Sequence, residues 1–178
     1  GMAWDRTGRK ILVADSNNNC IRSIDMDRQN QVSTLCGSSS LTERNDGSFA
    51  TATFSHPTRI VPVGRGNYVV YDLSTQYLRS LNMDKRTVTS LGLVGKIWDM
   101  VYCPKNNSLY MTDPEGQQVR QFDLGTKQIS VVFTAEPLLS QPKAICEKEG
   151  NIYVSDAKTS DIYFFETKTT NDQVIPQA

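Results

Sequence analysis

Long apolar runs are missing from this 178-residue sequence, and nothing in it approaches the roughly eighteen residues that a membrane-spanning helix needs. Net charge is missing too. Nineteen Lys and Arg balance nineteen Asp and Glu, which disfavours a general nucleic-acid binder while leaving room for a local basic face. Histidine occurs once, as His56, so a histidine-rich catalytic zinc centre cannot be assembled. No serine lies in a G-x-S-x-G context, which removes the usual sequence support for a nucleophilic hydrolase. The four cysteines, Cys20, Cys36, Cys103 and Cys146, are scattered, with no Cys-x-x-Cys pair. They are too sparse for a disulfide scaffold and not spaced for zinc, so free buried thiols are expected. Helical periodicity is absent as well.

What is present is a repeat. Four segments align on Asp15, Asp72, Asp113 and Asp156, which are 57, 41 and 43 residues apart: "ILVADSNNNCIRSIDM", "YVVYDLSTQYLRSLNM", "LYMTDPEGQQVRQFDL" and "IYVSDAKTSDIYFFET". β-branched, aromatic or aliphatic residues precede each Asp. Six positions after it stands Ile21, Leu78, Val119 or Ile162, and nine after it Ile24, Leu81, Phe122 or Phe165. Seven after it comes Arg22, Arg79 or Arg120, then Tyr163 in the fourth copy. Each unit reads as four short strands, A to D, with the Asp closing strand B and the Arg opening strand C. The fourth unit has a weaker last strand at "QVIP". Four-stranded units of about forty residues are the sequence signature of β-propeller blades. The expected fold is an all-β propeller in one domain, 1–178. Its blades lie near 1–37, 58–92, 97–133 and 142–178, and a long linker, 38–57, joins the first two.

The strand ending in Asp, the polar turn around Asn18 and the following "CIRSID" resemble the NHL repeat family of β-propellers. The connector "LCGSSSLTERNDGSFATATFSHPTRI" is similar to that family's Gly, Asp-Gly, Ala…Phe…Pro linker, and Trp98 takes the place held by Pro57 and Pro142 in the other linkers. Such propellers most often carry six blades, so four implies a fragment, a four-bladed ring, or self-association that completes a larger one. The resemblance implies two uses, a protein-binding or adhesion scaffold and, as in tripartite-motif relatives, single-stranded RNA binding on a basic face. A propeller hydrolase or lyase is a further alternative. Against RNA, the position five after each Asp holds Cys20, Tyr77, Gln118 and Asp161, none of them basic.

Asp15, Asn17 and Asn19 alternate like the opening of a calcium loop, but Cys20 and Met26 stand where an EF-hand needs Gly and Glu. The stretch therefore reads as a turn, and no metal or other cofactor is expected. Asp15, Asp72, Asp113 and Asp156, with Arg22, Arg79 and Arg120, are expected to tie backbone or to pair between blades. The B–C turns and the D–A linkers emerge on one face, so Asn17, Asn18, Arg44, Asp46 and Arg59 are the candidate contacts for a protein partner. The sequon Asn106-Asn107-Ser108 leans towards a secreted or cell-surface setting, and the opening "GMAWDRTGRK" already reads as strand and turn rather than as a leader.

Overall fold

The computed structural model describes residues 1–5, 8–134 and 139–167. Among them every regular element is a strand, apart from one 3₁₀ turn at Ser16–Asn18. The chain divides into two compact units, Gly1–Gly95 and Lys96–Ala178. Each unit holds two antiparallel sheets.

In the first unit, β1 (Met2–Asp5), β2 (Lys10–Asp15), β3 (Cys20–Asp25) and β4 (Gln31–Gly37) form one blade in chain order. A two-residue strand β5 (Gly47–Ser48) precedes the second blade of β6 (Pro57–Gly64), β7 (Asn67–Asp72), β8 (Tyr77–Asn82) and β9 (Thr87–Leu93). The second unit carries β10 (Met100–Cys103), β11 (Ser108–Asp113), β12 (Gln118–Asp123) and β13 (Ile129–Thr134) as the third blade. Its fourth blade has β14 (Pro142–Lys148), β15 (Asn151–Asp156) and β16 (Ile162–Glu166). The last strand expected at "QVIP" lies outside the described residues.

The B strands are rich in Val, Ile, Leu and Tyr, types that suit a pleated, packed surface. In β7 and β11 nearly every residue is buried, on both faces. Each B strand then breaks at the same place. Asn19, Gln76, Gln117 and Ser160, four residues after the repeated Asp, all have φ between 50° and 65°. That left-handed backbone closes the B–C hairpin and turns the chain into strand C. A second repeated irregularity was not legible in the sequence. In blades one, two and three the C–D pairing shifts register just before the repeated Arg, between Ile21 and Arg22, Leu78 and Arg79, and Val119 and Arg120. Such a bulge bends the partner strand and re-aims the side chain opposite it.

In the first unit, Ala3, Leu12, Ala14 and Ile21 from one face of blade one cluster with Ile60, Tyr68, Val70, Leu81 and Val88 of blade two. Phe49, Ala52 and Phe54 complete that core. Part of the long linker is therefore core and part is surface. Residues 47–48 extend blade two as a fifth strand paired to β9, and both phenylalanines are buried, because a chain this apolar gains more from the core than from water. In the second unit, Cys103, Tyr110, Val119 and Phe133 pack with Ile145, Ile152, Val154 and Phe165.

Replacing Gln76 by Gly is expected to stabilise the protein by about 0.5 kcal/mol, because the relief of left-handed strain exceeds the added backbone entropy of glycine. The hydrogen bonds at this residue are main-chain ones, from its N–H to Leu73 O and from Val94 N–H to its carbonyl, so they survive the change. A rise in melting temperature checks this.

Candidate functional site

In the first three blades the repeated carboxylate and guanidinium meet inside the B–C hairpin. Arg22 Nε lies 3.0 Å from Asp15 Oδ2, Arg79 Nη1 3.6 Å from Asp72 Oδ2, and Arg120 Nε 3.3 Å from Asp113 Oδ2. The register explains this. Asp15 pairs with Cys20 and Val13 with Arg22, so Asp and Arg share one face of the hairpin, two residues apart.

Around these pairs the incoming linkers are held by their backbone. Ser55 N–H donates to Asp72 Oδ1 at 2.8 Å. Ser140 and Gln141 N–H donate to Asp156 Oδ2 at 2.6 and 2.8 Å, while Lys158 and Thr159 N–H reach its other oxygen. Arg79 donates to the carbonyls of Thr53 and Asn45 at 3.0 and 2.9 Å and to Asp46 Oδ1 at 2.9 Å. Arg120 Nη2 donates to Lys96 O at 2.7 Å. Asp113 instead accepts from Gly116 N–H and the Gln118 amide of its own turn.

The environments set the carboxylates apart. Burial pushes Asp72 up to about 6, although the Ser55 N–H and Arg79 oppose the shift, and its Oδ2 has no hydrogen-bond partner. At Asp156 burial also raises the value, but the backbone N–H groups of Gln141, Ser140, Thr159 and Lys158 together hold it below the ordinary carboxylate range. The Asn18 amide and then Arg22 lower Asp15.

The asparagine-rich stretch is built as a turn. Asn18 Nδ2 donates to both oxygens of Asp15 at 3.0 and 2.9 Å. Asn19 Oδ1 accepts the His56 N–H at 2.8 Å, and Ser16 Oγ donates to Pro57 O at 2.6 Å. The first B–C turn therefore grips the end of the long linker, and the side-chain oxygens of Asp15 and Asn19 are engaged by donors. Asn17 and Asn18 are exposed. Arg44 lies with its guanidinium carbon 3.9 Å from the centroid of Tyr77 and donates to Ser90 Oγ at 2.7 Å. Asp46 accepts from the Ser90 N–H and hydroxyl at 2.9 and 2.8 Å, so Ser90 joins Arg44 to Asp46. Arg59, on β6, reaches back to Thr58 O. Tyr77 and Ser90 were missed by sequence reasoning. Tyr77, five residues after Asp72, stands where only a basic residue was sought. In the second unit Lys143 Nζ sits 3.3 Å from the ring centroid of Trp98, which is 50% exposed.

All four cysteines are free, with Cys20, Cys36 and Cys103 buried and Cys146 exposed. Cys103 faces the core between blades three and four. Cys146 shares a face with Tyr153 and Phe164 on the other side of blade four. A blade thickness of about 10 Å separates such faces, beyond disulfide reach. Among the described residues no three His, Cys, Asp or Glu side chains form a group that could hold a metal ion.

Several solved structures share this arrangement of small antiparallel sheets. A chain in the crystal structure of a nidogen/laminin complex is similar over 96% of this chain and 61% of its own, with 21% identity and a TM-score of 0.69. A protein of unknown function from Bacteroides thetaiotaomicron is similar over 93% and 43%, with 18% identity and a TM-score of 0.61. A gluconolactonase-like protein is similar over 99% and 61%, with 13% identity and a TM-score of 0.69. The fold is a β-propeller. The chain spans less than two thirds of the length of each of these neighbours. No protein-family model and no curated protein sequence matches it.

Two measurements probe the clamps. Arg79→Ala is expected to cost about 3–5 kcal/mol, since it strands two carbonyls and a buried carboxylate. Arg22→Ala, at the equivalent but partly exposed position, should cost less than about 1 kcal/mol. Denaturant unfolding compares them. Asp72 also sets a pH dependence. Its folded value lies above its unfolded one, so the native state binds the extra proton. Stability therefore falls as pH rises from about 4 to about 6, and the loss is complete above that window. In Asp72→Asn this slope should vanish from the melting temperature profile.

Proposed function

We propose that this protein is a non-catalytic binding scaffold, a propeller of NHL type, that takes a protein partner on the face bearing the B–C turns and the long linker. The observation that carries the reading is the Arg44–Tyr77 platform. Arg44 is exposed, stacked on an aromatic ring and fixed at Ser90, so little side-chain freedom remains to be lost on binding. Arginine and tyrosine are the residue types that dominate binding energy in protein interfaces. Leu41 and Glu43 stand exposed in the same linker, and the mixed charge suits a protein better than a polyanion. Asn17, Asn18, Arg44 and Arg59 are the proposed contacts. Asp46, held by Arg79 and Ser90, sets the path of the linker and exposes part of its own side chain. The similar chain in a nidogen/laminin complex gives the reading a precedent in fold alone.

The test is a pull-down with the protein followed by mass spectrometry, with and without nuclease. A nuclease-resistant partner that is lost on combined Arg44→Glu and Arg59→Glu, with the melting temperature unchanged, is the expected result. A nuclease-sensitive yield supports RNA instead. Loss on altering Arg28 and Lys85, in the C–D turns, moves the site to the opposite face.

A further inference from the structure

The chain's neutral total hides an imbalance between its two units. Residues 1–95 carry eleven Lys and Arg against eight Asp and Glu, and residues 96–178 carry eight against eleven. Within the first unit the surplus lies at one end. The loop end is balanced, with four arginines against Asp15, Glu43, Asp46 and Asp72. The opposite end, made of the A–B and C–D turns of blades one and two, carries Arg9, Lys10, Arg28, Arg65, Lys85 and Arg86. The carboxylates there are Asp25, Asp27 and Asp84, with Asp5 buried.

Hydrogen bonds gather these turns into one surface. Met26 N–H donates to Arg9 O at 3.1 Å in blade one, and Met83 N–H to Gly66 O at 3.0 Å in blade two, so the two turns of each blade abut. The Tyr68 hydroxyl hydrogen-bonds Asp5, which sets the two A–B turns side by side. All six cations except Lys10 are exposed. They stand on turns beyond the strand ends, where a layer packed on a sheet face does not reach them. Three of them occupy an unfavourable backbone. Arg9, Arg65 and Arg86 have φ of 46°, 51° and 51°, a left-handed conformation that Gly, Asn and Asp adopt at lower cost. The A–B turns of the second unit place Asn107 and Glu149 there. The charges are also loosely paired. Arg9 reaches Asp27 at 3.2 Å, and Lys10 and Arg28 share Asp25 at 3.7 and 3.9 Å, surface contacts that hold weakly. Arg65, Lys85 and Arg86 ion-pair with no carboxylate among the described residues.

We propose that this basic turn end binds a linear sulfated polysaccharide, with its sulfate groups seated on the guanidinium and ammonium groups of the four turns. Arginine's planar fork offers paired donors to an oxyanion, which a lysine-only patch would not. The surface favours this class over other polyanions. The described residues of these turns include no aromatic side chain, so the bases of a single strand of nucleic acid have nothing to stack on. An anionic membrane acts on the whole neutral chain, including the second unit with its excess of carboxylates. A thin chain touches the turns alone. The site is distinct from the loop end proposed for a protein partner, where arginines and carboxylates cancel.

The probe is a size-defined heparin oligosaccharide, titrated into the full chain by calorimetry at about 50 mM and about 200 mM salt. Saturable binding that weakens with salt is the expected result. Combined Arg9→Asn and Arg65→Asn supplies both left-handed turns with a residue that suits them, so the melting temperature should hold or rise while affinity falls about tenfold. Lys85→Gln, at an exposed position, is a second variant should the first fold poorly, and it should weaken binding in the same direction. Combined Arg44→Glu and Arg59→Glu should leave the affinity unchanged. No saturable binding, or affinity that survives the turn substitutions, overturns the proposal. So does loss of binding in the Arg44 and Arg59 variant, which places the anion at the loop end. Tighter binding to a single-stranded oligonucleotide, or to vesicles containing phosphatidylserine, also overturns it and assigns the surface to that polyanion.

Discussion

A guanidinium sealed from water governs how the first unit is put together. Arg79 has no exposed surface, and moving a charge out of water costs several kcal/mol unless acceptors surround it. Its acceptors are two carbonyls and a carboxylate from the linker, and the Asp72 carboxylate lies 3.6 Å away across the hairpin as an ion-pair partner. The linker therefore has little choice of path. Residues 45 and 53 must both face Arg79, which folds the intervening segment back on itself, pairs β5 with β9 and delivers Phe49 and Phe54 to the core. The same constraint places Asp46 on Ser90, and Ser90 in turn holds Arg44 against Tyr77. A surface feature proposed for recognition thus depends on a buried charge beneath it.

The same pair of residues does different work in each blade because its surroundings differ. Among the described residues Asp156 has no arginine partner, Tyr163 standing in its place in the repeat, and four backbone N–H groups satisfy the carboxylate instead. Asp72 has one backbone donor and one distant guanidinium, and burial wins over both. Hydrogen bonding to the charged form and desolvation act in opposite directions on a carboxylate. The count of donors at each repeat decides the sign.

Much of this architecture was legible in the sequence. The four aspartates marked the ends of the B strands because a strand that must turn needs a short acceptor at its last residue, and the hydrophobes at fixed offsets marked strand C. What escaped were features that depend on the partner strand. The bulge beside each Arg arises from the path of strand D, whose sequence repeats poorly. The burial of Phe49 and Phe54 depends on an arginine 25 to 30 residues away. At the candidate face, Asn17, Asn18 and Arg44 were proposed from their loop positions, whereas Tyr77 and Ser90, which Arg44 contacts, were not, since nothing local distinguishes them from ordinary strand residues.

The division of labour within each repeat follows from these contacts. The Asp and the left-handed residue at four are bound by hairpin geometry, and the hydrophobes Ile21, Leu78, Val119, Leu81, Phe122 and Phe165 at six and nine by packing, so they have little room to vary. Positions one to three after the Asp carry no such duty in common: they read Ser-Asn-Asn, Leu-Ser-Thr, Pro-Glu-Gly and Ala-Lys-Thr. Side chains there project from an already closed turn; in blade one Ser16 and Asn18 are recruited to the clamp, through Pro57 O and the Asp15 carboxylate, and the other blades place different residues at those positions. Function on a repeat scaffold is therefore most readily sought where the repeats disagree. In this chain the largest disagreement is the long first linker, whose ends are held by Asn19, Ser16 and Arg79 and whose middle presents Leu41, Glu43 and Arg44 to solvent.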